Sequence, residues 1–362
     1  MRILFTCRQL AGHLHPLLPL AAAALQDGHR VAFATGDPAL AEVLARGYTA
    51  FPAAPAPGAR EDFLRAVPQL LEVDPEEHRA LFFSELFVRR ELPARLAALT
   101  GIVAAWRPDA IVNEVSEYAG PIAATAEGLP YVTAGYGPLV QPRVAARAAE
   151  ATIPFWDAAG VEPVEPRAYL DPCPRSLQID AIQVLPALPV RLTPLPRPGP
   201  PPVPLGPHPR TVYVTFGTVW NRDPAPFRAA FDALAGLPVN VVATLGGELD
   251  VGPVPGNVGV HRFIPQAELL PHCDAVIAHG GAGTMLGALA HGLPMQLVPQ
   301  GADQHYNAER AAAAGAALAG TLDVTRLLAD AGLRVAAERV AAEIAALPDP
   351  AEVVERLVEI CA

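Results

Sequence analysis

The sequence predicts an α/β protein of two domains, each a doubly wound parallel sheet with helices on both faces. Three observations carry this. Short apolar runs of strand type alternate with helical stretches; the alternation stops at a proline-dense segment and restarts beyond it; and the second half holds a glycine-rich turn between a buried strand and a helix. At 362 residues the chain also exceeds one ordinary core, which calls for two domains.

The elements follow in order. Residues 2–6 form a buried strand and 7–15 a loop ending in Gly12-His13-Leu14-His15-Pro16. Pro16 suits a first helical turn, and that helix runs to Gln26 with Gly28 as its stop. A strand at 30–35, a helix at 38–45, a strand at 110–113, a helix at 118–127 and a strand at 131–134 continue the pattern. Ligands of such sheets lie beyond the carboxyl ends of the strands, the edge where 12–16, 113–117 and 135–138 fall. Two stretches break the alternation. In 61–90, Leu81, Phe82, Phe83, Leu86 and Phe87 recur at helical spacing, which reads first as a core-facing stripe. In 141–181, Phe155, Trp156 and Tyr169 are candidate pocket residues.

Residues 194–209 (PLPRPGPPPVPLGPHP) read as a stiff, extended linker that spaces domains and does not join a core. A strand at 211–216, a helix at 227–234 and strands at 239–244 and 258–261 then lead to the central segment. There 274–278 is a strand, 279–284 (HGGAGT) the glycine turn, 285–291 a helix and 294–299 a strand. Helices at 322–347 and 351–360 close the chain.

Glycines at a strand-to-helix turn admit close backbone approach and leave the first helical N–H groups pointing outward. With the positive end of the helix dipole, those donors suit a phosphate. All 26 basic residues are arginine, which removes a Walker-type loop and any lysine Schiff base. A formal charge of −11 argues against nucleic acid or an anionic membrane surface as main partner. Cys7, Cys173, Cys273 and Cys361 form no Cys-x-x-Cys pair, as expected of a reducing cytoplasm without disulfides or zinc. No Asp-x-Asp pair is present to hold a divalent ion beside a diphosphate. Met1 leads straight into a strand, so no signal peptide is expected, and the apolar stretch 14–25 is too short and proline-interrupted to span a membrane.

Phe263-Ile264-Pro265-Gln266, then His279 to Thr284, then Asp303-Gln304 and Asn307 resemble the donor signature of family 1 nucleotide-sugar glycosyltransferases. The wording is similar to the bacterial branch that glycosylates antibiotics and other natural products. The resemblance covers essentially the whole chain. It implies the GT-B architecture, two Rossmann-like domains facing each other across a cleft. Residues 1–193 would bind the acceptor and 210–347 the nucleotide sugar, with 348–362 crossing back to the first domain.

It also implies site residues. His13 matches the family's general base, and His15 is its rival two residues away. Glu114 sits where related enzymes carry aspartate to orient that histidine; Glu117 is the second possibility. For the nucleotide the resemblance points to Thr218, Ile264, Gln266 and His279, and to a backbone cradle of Gly281, Ala282, Gly283 and Thr284. Asp303 and Gln304 resemble the residues that hold sugar hydroxyls, with helix capping as the plainer role of Asp303. Phe82, Phe83, Phe87, Tyr136 and Trp156 are the acceptor-binding candidates.

The function implied is inverting, metal-independent transfer of a sugar or deoxysugar to a hydrophobic small-molecule aglycone. The donor would be a nucleoside diphosphate sugar, thymidine diphosphate favoured over uridine diphosphate, with no cofactor and no metal ligand set. A cytoplasmic enzyme is expected, with no stable membrane insertion; a homodimer is compatible. The competing readings are a non-catalytic nucleotide-sugar-binding partner or activator, and another enzyme on the same scaffold, such as a uridine-diphosphate-sugar transferase, a lipid glycosyltransferase or an epimerase.

Overall fold

The computed structural model describes residues 1–66, 73–184, 186–195, 199–218 and 223–362, so linker residues 196–198 lie outside it, as does part of the irregular stretch 61–90. The chain divides into two compact units. The first comprises 1–173, 179–192 and 347–362; the second comprises 174–178 and 193–346.

The first unit is a seven-stranded, all-parallel sheet in the order β3-β2-β1-β4-β5-β6-β7. Its strands are β1 (Arg2–Thr6), β2 (Arg30–Thr35), β3 (Thr49–Pro52), β4 (Ala110–Glu114), β5 (Tyr131–Ala134), β6 (Tyr169–Asp171) and β7 (Ala187–Pro189). Alternation along β1 sends Ile3 and Phe5 to one face and Leu4 to the other. The first face is covered by α1 (Ala11–Leu14), which continues through a 3-10 turn at His15–Leu17 into α2 (Leu18–Gln26), and by α3 (Ala39–Ala45).

Helices α4 (Ala59–Ala66) and α5 (Pro75–Leu81) lead into a π-helical segment, Phe82–Glu91, and then α6 (Leu92–Trp106). α7 (Ala119–Ala126) and α8 (Pro142–Ala159) follow. The opposite face packs under α6, α7 and α8, with Phe83, Leu99, Ile122, Val144 and Trp156 in that core. Where 141–181 reads as irregular in sequence, α8 runs eighteen residues, from Pro142 at its first turn to Gly160 at φ +71°. Where 7–15 reads as a loop, helix already begins at Ala11, so His13 sits on a helical turn.

The second unit is a six-stranded parallel sheet, β10-β9-β8-β11-β12-β13. Its strands are β8 (Thr211–Thr215), β9 (Asn240–Thr244), β10 (Val258–His261), β11 (Ala275–Ala278), β12 (Met295–Leu297) and β13 (Ala317–Ala319). The helices are α9 (Ala225–Leu234), α10 (Gln266–Leu269), α11 (Ala282–Ala290), α12 (Gln304–Ala313), α13 (Val324–Ala329) and α14 (Ala331–Ala345). Phe227, Phe231 and Leu234 of α9 close one face over Val212, Val214 and Ile277.

Three boundaries differ from the sequence reading. Segment 174–178 belongs to the second unit, where Arg310 donates to the carbonyls of Leu177 (3.0 Å) and Gln178 (2.6 Å). The linker's end is not a free spacer: His208 and Asn240 exchange two hydrogen bonds, 3.0 and 2.8 Å. The helix expected over 322–347 is broken at Asp330, whose side chain caps α14. The last helix, α15 (Pro350–Cys361), packs on α2 and gives Val353, Val354 and Leu357 to the first unit's core.

The four cysteines are buried free thiols. Among the described residues no helix is long and apolar enough to cross a membrane, and no three His, Cys, Asp or Glu side chains gather as a metal ligand set.

Candidate active site

In the first unit, β4 ends at Glu114, and the turn beyond it delivers Ser116. α1 presents His13 to both. His13 Nδ1 lies 3.1 Å from Glu114 Oε1 and 3.2 Å from Ser116 Oγ. Glu114 is held in place by its neighbours: the Ser116 N–H (2.8 Å) and hydroxyl (2.9 Å) donate to it, as does the Arg8 N–H (3.4 Å). Burial pushes the Glu114 carboxyl up. The His13 imidazole, the Ser116 hydrogen bond and the Arg8 charge together outweigh that, and hold it below the ordinary carboxylate range. A carboxylate fixed on Nδ1 sets the tautomer that puts the lone pair on Nε2, where Arg8 Nη1 lies 3.5 Å away.

The two alternatives are occupied elsewhere. His15 is half-exposed and pairs with Glu42 at 2.9 Å. Glu117 is buried and structural: it caps α7 by accepting from the Ala119 and Gly120 N–H groups (2.8 and 2.9 Å) and bonds Thr6 (2.6 Å) and Arg95 (3.5 Å).

Tyr136 meets His13 edge-on, ring centroids 5.4 Å apart. Phe83 and Trp156, with Tyr118, Val140 and Ile153, line a cavity of about 520 Å³ that reaches Asn113 at the end of β4. Phe82 does not line it; it packs edge-on against Phe63 (4.9 Å) and Phe87 (6.1 Å). Phe87 lies under the Arg8 guanidinium, 3.4 Å from its ring centroid.

Arg8 is the residue that sequence reasoning missed. It makes a two-pronged ion pair with Glu91 (3.0 Å for each prong), and its Nη1 lies 3.5 Å from His13 Nε2. Glu91 and Phe87, which hold the guanidinium, come from the π-helical segment, more than seventy residues away, and no local pattern announces them.

In the second unit the glycine turn is a cradle around one imidazole. A Cβ on Gly217 would stand 2.7 Å from His279 Nε2, and one on Gly281 2.5 Å. Gly280, at φ +91°, lies so close to α12 that a Cβ would meet the Gln304 carbonyl at 2.9 Å. Gly283 has open space where a Cβ would be, so no packing within the protein requires glycine there. The cap of α11 is Gly281, which has no side chain to satisfy the first-turn N–H groups. Burial lowers the His279 imidazole below its ordinary value, against the Asp303 charge and the Thr215 backbone. Its buried Nδ1 has no hydrogen-bond partner among the described residues.

The remaining candidates cluster around this turn. Gln266 Nε2 donates to the Thr284 hydroxyl at 3.1 Å, so these two are brought together. Ile264 is buried, and beside it Phe263 is 70 % exposed. Thr218 is exposed just after β8, next to residues outside the described set, and Ala282 opens α11. Asp303 makes no side-chain cap for α12; Asn307 donates to it instead (2.6 Å) and also to the Gly280 carbonyl (2.9 Å). Gln304 turns its amide oxygen back onto the N–H groups of Gln300 (2.7 Å) and Gly301 (3.2 Å), leaving only its NH₂ for a ligand.

Two parallel-sheet units, one with a histidine–carboxylate pair and one with an uncapped helix N-terminus over a glycine turn, define a glycosyltransferase of the GT-B fold. Comparison with known proteins agrees. The family described as "Erythromycin biosynthesis protein CIII-like, C-terminal domain" matches residues 228–360. L-demethylnoviosyl transferase of Streptomyces niveus is 34% identical, over 99% of this chain and 97% of that protein. Among solved structures, the glycosyltransferase SnogD from Streptomyces nogalater superposes with a TM-score of 0.80 at 30% identity, covering 100% of this chain and 99% of that one. Spinosyn rhamnosyltransferase SpnG, solved with thymidine diphosphate, has a TM-score of 0.80 at 27% identity, covering 99% and 100%. The chain belongs to the bacterial antibiotic glycosyltransferases.

Proposed function

We propose that this enzyme is an inverting, metal-independent glycosyltransferase that moves a sugar from a thymidine diphosphate donor to a hydrophobic small-molecule aglycone. The observation that carries the reading is the His13–Glu114 pair, a base nitrogen left unprotonated by a carboxylate locked on the ring's other side. The acceptor O–H gives its proton to His13 Nε2, and Glu114 stabilises the imidazolium that forms. The acceptor oxygen bonds to the anomeric carbon as the bond from that carbon to the diphosphate breaks, its electron pair leaving with the diphosphate. A single displacement of this kind inverts the anomeric centre.

In this reading the departing charge is met by the first-turn N–H groups of α11 and by His279. Its unpartnered, buried Nδ1 is a polar atom that a bound ligand would satisfy. Asp303 and the Gln304 NH₂ hold sugar hydroxyls. Phe263 offers a ring face to the nucleobase next to Gln266, and Phe83, Trp156 and Tyr136 supply apolar surface for the acceptor. Thymidine diphosphate is favoured over uridine diphosphate by the ligand of the SpnG structure.

Calorimetric titration with each diphosphate, chelator present, tests the donor half. Micromolar binding of thymidine diphosphate, tighter than that of uridine diphosphate, is expected. Absence of binding to both, or binding that requires a divalent ion, refutes it.

A further inference from the structure

Six side chains lining the cavity beside Phe83 and Trp156 carry an N–H or O–H, and five of them are committed inside the protein. Asn113 places its amide hydrogens on the carbonyls of Glu114 and Glu117 (3.2 Å each), and Thr133 donates to the Asn113 amide oxygen (3.1 Å). Tyr131 donates to the Val164 carbonyl, Thr152 to that of Ala149 (2.6 Å), and Trp156 Nε1 to the Thr152 hydroxyl (3.2 Å). The sixth is Tyr118. It stands at the N-cap of α7, where Glu117 does the capping, and its hydroxyl has no hydrogen-bond partner among the described residues. Burial pushes this phenol far above its ordinary value, so it keeps its proton and can donate. The groups that act on it electrostatically are Tyr136, Glu114, Arg79 and Arg8, so this end of the cavity is turned toward the His13–Glu114 pair.

Resting on the reading of this cavity as the acceptor's, we infer that Tyr118 is a specificity-determining residue whose hydroxyl donates to a carbonyl oxygen of the aglycone, carried in addition to the hydroxyl that is glycosylated. A site with one uncommitted donor discriminates against ligands that leave it unpaired. A carbonyl matches it, because it offers lone pairs and brings no hydrogen of its own. A ligand hydroxyl in that place would put two hydrogens between two oxygens with one bond to share. The inner acceptors that could take the second are already engaged: Asn113 Oδ1 by Thr133, Thr152 Oγ1 by Trp156, and Glu117 by Thr6, Arg95 and the start of α7. A ligand carboxylate would be buried unpaired, since no cation lines the cavity.

The test uses the full chain and three probes of nearly one shape: benzophenone, diphenylmethane, in which CH₂ replaces the carbonyl, and benzhydrol, in which a carbinol does. Affinities are measured by calorimetry for wild type and for Tyr118→Phe, which keeps the ring and removes the donor. The ratio of benzophenone to diphenylmethane affinity is expected to be about fivefold or more higher in wild type than in the variant. Benzhydrol should bind wild type about threefold or more weaker than benzophenone. The carbonyl stretch of bound benzophenone gives a signature that a merely structural tyrosine would not: the lower, hydrogen-bonded frequency in wild type and the apolar-solvent frequency in Tyr118→Phe. The same affinity ratio in both proteins, or the same stretch in both, overturns the Tyr118 assignment. Benzhydrol binding as tightly as benzophenone overturns the carbonyl class. Failure of all three probes to bind either protein strikes the acceptor reading of the cavity, and the inference with it.

Discussion

Gly281 and His279 are built around each other: a methyl group on Gly281 would stand 2.5 Å from the imidazole Nε2, and one on Gly217 would stand 2.7 Å from the same atom. Neither glycine leaves room for a side chain beside that ring. Gly281→Ala should displace it and cost about 1–3 kcal/mol of stability by overpacking. Thymidine diphosphate affinity should fall roughly tenfold or more, as a ligand contact and the approach to α11 are lost together. Paired thermal melts and calorimetry check both; a variant with unchanged affinity would remove His279 from the donor site.

Glu114→Gln keeps the shape of the carboxylate and its bonds from Ser116 but cannot stabilise an imidazolium. Turnover should drop by about 10²–10⁴-fold, and His13→Ala should do at least as much. Donor affinity in both should match wild type, because the pair lies in the first unit and the glycine cradle in the second. Single-turnover rates measured beside diphosphate titrations separate the two effects.

Glu117 gives the opposite signature. Truncation to Ala would leave the buried Arg95 guanidinium without its carboxylate, uncap α7 and strand Thr6. A loss of about 3–5 kcal/mol in denaturant unfolding is expected. Any protein that still folds should retain most of its turnover per folded molecule. The two glutamates thus divide into one that serves chemistry and one that serves architecture.

Acid sensitivity should begin above the carboxylate range. Burial lowers His279, and also His291 against its bond to the Gly287 carbonyl, so the folded chain binds their protons less readily than the unfolded one. As pH falls through their ordinary value of 6.5 the unfolded state takes up protons first, and stability falls. The slope from each is at most about 1.4 kcal/mol per pH unit. Glu114, whose carboxyl is lowered from 4.5, adds its own loss only further down. Between roughly pH 6.5 and 5 the stability curve of His279→Gln should therefore be flatter than that of wild type, as urea midpoints across that range would show.

Much of the fold was legible because parallel strands buried on both faces are short, apolar and bounded by turn residues. β5 and β10 have the bounds read from sequence, and β4 differs by one residue. α8 was hidden by Pro154 inside it, though Val144, Ala148, Ala151 and Trp156 recur on one face between a proline start and a glycine stop. The π-helical turn was beyond reach, since no residue pattern distinguishes that hydrogen bonding from α-helix. At the site, His13, Glu114 and the glycine turn could be named from their motif. Glu114 was preferred to Glu117 there by the resemblance alone; the physical reason lies in the fold, where β4 ends at Glu114 and Glu117 turns back to accept from the first N–H groups of α7. Arg8 and Glu91 were out of reach for a different reason, being joined by tertiary packing alone.

Because α15 supplies Val353, Val354 and Leu357 to the core beneath α2, and Arg191 bonds both the Pro348 carbonyl (2.8 Å) and Asp349 (2.6 Å), the first unit is assembled from sequence on either side of the second. Swapping parts between relatives at the proline-rich junction alone would graft a foreign plug into that core. A hybrid that respects the architecture exchanges 193–346 as a cassette, along with the short 174–178 segment, and keeps both flanks from one parent. The natural unit of recombination in this protein is therefore an insertion, with four seams to match in place of one.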